Sequence, residues 1–155
     1  MRVIPACALL ALVACSDALA PASVTTGAVY QLRSINGQPL PWTTPPSDSA
    51  YIPMTVTEGW ISFIDATTAQ RHERHGRWVI GVNGDSSFLV NDWTETAVYQ
   101  RRAGKITLTY PPSPGGGAGV DTLYLGSRGS LILRQTGYLS SLDTIVRHFC
   151  ITAGC

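Results

Sequence analysis

The chain has 155 residues, 11 basic and 10 acidic side chains, and only 14% charged residues overall. That length suits one domain able to bury a core without added staples. Near-neutrality excludes the basic face that nucleic-acid binding requires, and no stretch is apolar for long enough to span a bilayer.

The first element is a leader. Arg2 gives a minimal positive start, and Val3 to Val13 is almost wholly apolar. At about 11 residues this run matches a signal-peptide core and falls short of a membrane span. Two processing sites compete at its end. Leu12-Val13-Ala14-Cys15 resembles the lipobox of bacterial lipoproteins. The resemblance implies cleavage before Cys15, diacylation of its thiol and acylation of the new N-terminus. Two or three acyl chains hold a protein stably on a membrane at about 0.8 kcal/mol per buried methylene. The alternative is ordinary cleavage after Ala18-Leu19-Ala20, which Pro21 in the next position disfavours. The lipoprotein reading divides the chain into a signal peptide at 1–14, a flexible tether at 15–27 and a folded domain at 28–155. It places the protein in the cell envelope. By resemblance to the sorting rules of enterobacterial lipoproteins, Ser16 after the anchor implies the outer membrane, facing periplasm or cell surface. Without Arg2 the mature chain is formally neutral.

The tether is small and polar or Ala-rich, as linkers are. The domain opens with Tyr30 and Leu32 alternating with Gln31 and Arg33, the pattern of a half-buried strand over 28–35. Asn36-Gly37 is a turn signal, and four prolines follow (Pro39, Pro41, Pro45, Pro46), with Trp42 among them. Tyr51–Thr57 and Trp60–Ile64 are two β-prone runs split by Glu58-Gly59, either one bent strand or a hairpin. Asp65–Ala69 reads as a turn. Gln70–Arg77 is the most polar stretch and reads as a solvated hairpin of alternating charge. Trp78–Val82, Asn83-Gly84 and Ser87–Val90 form a hairpin, because Asn-Gly suits a tight primed turn. Asn91-Asp92 reads as a break. Thr96–Arg101 and Lys105–Tyr110 flank a turn at 102–104. Pro111–Gly119 is a loop. Val120–Leu125, Leu131–Arg134 and Thr144–Phe149 complete the strands.

Regular turn signals between about eight to ten short strands, with no helical periodicity, predict an all-β domain. The expected architecture is a single antiparallel up-and-down barrel, whose closure removes exposed edges. Tyr30-x-Leu32-x-Ser34-Ile35-Asn36-Gly37-x-Pro39-Leu40-Pro41 resembles the opening of small lipocalin-like β-barrel lipoproteins of bacteria. The resemblance implies fold and location. The Gly-x-Trp of true lipocalins is absent, since Ala28-Val29-Tyr30 follows Gly27, so ligand binding does not carry over.

Chemistry-bearing patterns are sparse. Cys150 and Cys155, an even pair after the leader cysteines are set aside, predict a disulfide pinning the C-terminal tail. His72 and His75 lie an odd number of residues apart, so on a strand they face opposite ways and do not share a metal. Asp92 and Glu95 bracket Trp93 without a visible partner for acid–base work. No nucleophile motif, metal set or cofactor loop is present, so no catalytic residue is expected and the protein is read as a non-enzyme. Most of the large rings are expected to fill the core. Trp42, Trp93, Trp60 and Tyr110 are the candidates to line an opening at one end of the barrel. The resulting expectation is a lipid-anchored binding module for a small apolar ligand or an envelope partner. The alternative is a structural or interaction lipoprotein with a filled barrel, and a hydrolase comes third.

Overall fold

A computed structural model describes residues 24–45, 53–112, 118–136 and 144–151. The leader, Cys15 and Cys155 lie outside the described residues. The strands in chain order are β1 (Val29–Ile35), β2 (Gln38–Pro39), β3 (Trp42–Thr43), β4 (Met54–Phe63) and β5 (Thr68–Ile80). They continue as β6 (Ser86–Arg102), β7 (Lys105–Thr109), β8 (Val120–Leu125), β9 (Leu131–Thr136) and β10 (Thr144–Cys150). Every pairing is antiparallel, and each long strand pairs with the next long strand in sequence. β1 pairs with β10 on one side and β4 on the other, which closes an eight-stranded up-and-down barrel. The short β2 and β3 decorate its rim.

Two bulges reconcile sequence with closure. Tyr30 and Leu32 point inward, the register shifts between Leu32 and Ser34, and the inward position passes to Ile35. In β4, Val56 points inward, the register shifts before Glu58, and Ile61 and Phe63 then take the inward row. A bulge inserts one residue, so the two-residue alternation changes parity and the strand bends. The stretch read as two runs around Glu58-Gly59 is therefore one bent strand.

Other expectations are corrected. Asn91-Asp92 does not break the chain. Both lie inside β6, paired with His75 and Arg74, because a partner strand outweighs their weak strand propensity. The turn read at 65–69 ends earlier: the Asp65 carboxylate accepts from the backbone N–H groups of Thr67 and Thr68 at 2.7 Å each, and β5 starts at Thr68. Residues 24–27, at the end of the expected tether, already meet the barrel. Gly27 donates to the Phe63 carbonyl at 2.7 Å, and Val24 packs against the core.

Three rings anchor the apolar core at one end of the barrel. Tyr30 and Phe63 meet edge-on at 5.7 Å, and Phe63 and Tyr99 at 5.0 Å. The phenols reach polar partners at the rim: Tyr99 donates to the Asp65 carbonyl at 2.9 Å, and Tyr30 accepts from Thr25 N–H at 3.1 Å. These two buried rings thus keep their hydroxyls satisfied. Ile106, Leu108, Leu123, Leu131 and Leu133 belong to the same core, and Ile35, Val56 and Trp42 extend it to the level of Arg147 and His75. Cys150 closes β10 as a buried residue whose sulfur is not free.

Candidate functional site

Towards the other end the inward rows turn polar. Along β5 the inward side chains are Ala69, Arg71, Glu73 and then His75; along β6, in reverse, Tyr99, Ala97, Glu95 and Trp93. β8 contributes Asp121, β9 contributes Gln135 and β10 contributes Arg147. Period-two alternation makes this placement unavoidable once the strands are set.

Five of these side chains close a ring. Arg71 donates from Nη1 to Asp121 Oδ2 at 2.5 Å. Gln135 donates from Nε2 to Asp121 Oδ1 at 2.8 Å. Arg147 donates from Nη1 to Gln135 Oε1 at 2.5 Å and from Nε to Glu73 Oε2 at 3.1 Å. Glu73 faces Arg71 Nη2 at 3.6 Å and completes the circuit. Arg147, Arg71 and Glu73 are 0%, 4% and 3% exposed. Buried charges of this kind persist only when paired and hydrogen-bonded, and here each cation meets a carboxylate. Burial opposes the Arg71 charge, but the Tyr110 oxygen and the Asp121 and Glu73 carboxylates outweigh it and hold the guanidinium above its ordinary range.

Beside this ring lies a half-open cavity of about 290 Å³. Arg71, Glu73 and Asp121 reach it from the ring, and Trp93, Glu95 and Tyr110 wall it. The Arg71 guanidinium lies 5.0 Å from the Trp93 ring centre, within cation–π range. The Tyr110 hydroxyl sits within electrostatic reach of Arg71 and Asp121 but in hydrogen-bond geometry with neither. Burial pushes its phenol well above the ordinary value, with Arg71 opposing and Asp121 adding to the shift. Arg71 Nε and His75 Nδ1 are likewise buried without a partner. Burial also raises the Glu95 carboxyl, with Arg71 pulling it back down. Among the described residues β7 pairs with β6 only over Val98–Arg102, so the Trp93 and Glu95 wall has no strand on that side.

Of the rings proposed from sequence, Trp93 and Tyr110 line this cavity. Trp42 is buried in the apolar core, and Trp60 stacks on His72 at 5.2 Å on the outer face. His72 faces outward, where its Nδ1 meets Thr94 Oγ1 at 2.9 Å, while His75 faces the cavity. Among the described residues no three His, Cys, Asp or Glu side chains converge as a metal site. Asp92 points outward beside Arg74 at 3.6 Å, so it and Glu95 do not act together. The solvated reading of Gln70–Arg77 is overturned for Arg71 and Glu73, which lie deep in the interior. The sequence reading missed both, together with Asp121, Gln135 and Arg147. The available signal was a charge in an otherwise apolar inward row, as in Ile145, Arg147, Phe149.

β5 and β6 also continue past the barrel as a two-stranded ribbon, with Trp78 opposite Phe88 and Ile80 opposite Ser86. It exposes Trp78 at 61% and Ile80 at 81%. Comparison with known proteins gave no match: no protein-family model, no curated protein and no solved structure is similar to this chain.

Proposed function

We propose that this protein is a lipid-anchored binding module of the cell envelope, holding a small ligand in the mouth of its barrel without transforming it. The cavity carries this reading. A barrel packed for stability alone would be filled with side chains, and its interior polar groups would be satisfied. Here an accessible volume adjoins a mutually paired charge ring and ends in a tryptophan wall with polar atoms left over. Ligand sites combine an apolar surface with a few convergent polar groups in this way. The purely apolar ligand expected from sequence suits this lining less well than one with a polar end.

Anchoring belongs to the same proposal. The acylated residue is Cys15, the tether leads to the barrel, and a Cys150–Cys155 bridge pins the far end. Palmitate labelling of wild type and Cys15→Ser tests the anchor: label in the first and none in the second is expected, and equal labelling rejects it. Native mass spectrometry of the chain from Ser16 onward, exported and purified from the envelope, tests the binding role. A retained small molecule supports it, whereas a bare mass favours the second reading. That reading is an interaction protein of the envelope, favoured by the exposed apolar ribbon around Trp78 and Ile80.

A further inference from the structure

The cavity has a charge balance that selects among ligands. Its lining and the adjoining ring hold two guanidiniums, Arg71 and Arg147, against three carboxylates, Glu73, Asp121 and Glu95. Both guanidiniums are bonded to Asp121, Glu73 or Gln135. Glu95 stands outside the ring, on the cavity wall beside Trp93. It is the acid that the ring leaves without a cationic hydrogen-bond partner among the described contacts. An anionic ligand would meet this excess carboxylate at reduced dielectric, where like charges a few ångström apart repel strongly.

We propose that the cavity takes a small aromatic amine in its ammonium form, the ammonium on Glu95 and the ring against Trp93. The inference rests on the binding role proposed above and names the ligand class for that site. Volume sets the size. At about 30 Å³ per water in the liquid, about 290 Å³ accommodates on the order of ten non-hydrogen atoms. Carboxylate-headed ligands such as fatty acids are selected against.

The test uses three near-isosteric probes: benzylamine, benzyl alcohol and benzoate. Each is titrated calorimetrically at pH 7 into the chain from Ser16 onward and into its Glu95→Gln variant. Glu95 is only half-buried, so the variant is expected to fold, and circular dichroism verifies this. In wild type, benzylamine binds tightest and exceeds benzoate by about tenfold or more. In Glu95→Gln the amine loses that advantage over benzoate and over benzyl alcohol. Benzoate binding as well as benzylamine, or an amine preference that survives Glu95→Gln, overturns the proposal. In that case bound benzyl alcohol leaves the general binding role standing. If none of the three probes binds, both the ligand class and the binding role are rejected.

Discussion

Arg147 on β10 donates to the Glu73 carboxylate on β5 at 3.1 Å, joining strands at least three positions apart around the barrel. Neither residue touches the other through a sheet ladder. The pair crosses the interior and ties opposite walls together. Hydrogen-bonded ladders fix neighbouring strands, but they do little to stop a barrel flattening. A cross-brace at the boundary between core and cavity resists that motion and holds the space beside it open.

Breaking this brace should be costly. Arg147→Met removes the partner of Glu73 and of Gln135 Oε1 and leaves a carboxylate buried with only the longer Arg71 contact. We expect a loss of about 3–5 kcal/mol, the usual result of removing one member of a buried pair. Urea unfolding followed by circular dichroism measures it. Combining Arg147→Met with Glu73→Leu should recover a large part of the loss, because the orphaned charge disappears with its partner.

The apolar half depends on shape. Phe63 is fully buried and touches both Tyr30 and Tyr99 through edge-on ring contacts. Phe63→Ala should cost about 3–5 kcal/mol through lost burial and the space left behind. The same unfolding measurement applies, and a loss below about 1 kcal/mol would mean that the rings collapse into the gap.

Asp65 supplies an acid-sensitive turn. Backbone N–H groups of Thr67 and Thr68 donate to its carboxylate and hold its pKa below the ordinary 3.8. A depressed carboxyl stabilises the fold above its unfolded value, and the contribution disappears as pH falls through the folded one. Asp65→Asn should therefore lower stability near neutral pH, and the gap from wild type should narrow below pH 3.8. Thermal unfolding from pH 7 to pH 2.5 shows this as converging midpoints.

Glu95 sets the pH dependence of ligand binding. Its carboxyl is raised above 4.5, chiefly by burial, with Arg71 lowering it, Asp121 raising it and Trp93 lowering it. A carboxyl with a raised pKa is protonated first as pH falls, so ammonium binding should weaken at a pH above 4.5. Calorimetric titration of benzylamine from pH 7 to pH 4 checks this in wild type, and the component due to Glu95 vanishes in Glu95→Gln.

Turn chemistry and alternation were legible without coordinates. Asn36-Gly37 and Ala103-Gly104 take positive φ at both positions, as tight hairpin turns require. Lys105, Thr107 and Thr109 against Ile106 and Leu108 define the two faces of β7. Such signals are local: they follow from one residue's backbone preference or from a period of two. They determined that the domain is all β over the described residues and that its strands run up and down; of the four rings expected at an opening, Trp93 and Tyr110 line the cavity, whereas Trp42 and Trp60 do not. Tertiary structure decided what local signals do not contain. Two bulges reset the inward rows of β1 and β4, and which parity wins depends on the partner strand. The polar run at Gln70–Arg77 is hydrophilic by composition, yet closure turns Arg71 and Glu73 inside, where Asp121, Gln135 and Arg147 await them from distant positions. Charges are buried only where opposite charges arrive at the same depth, and that meeting is a property of the closed barrel and not of any segment.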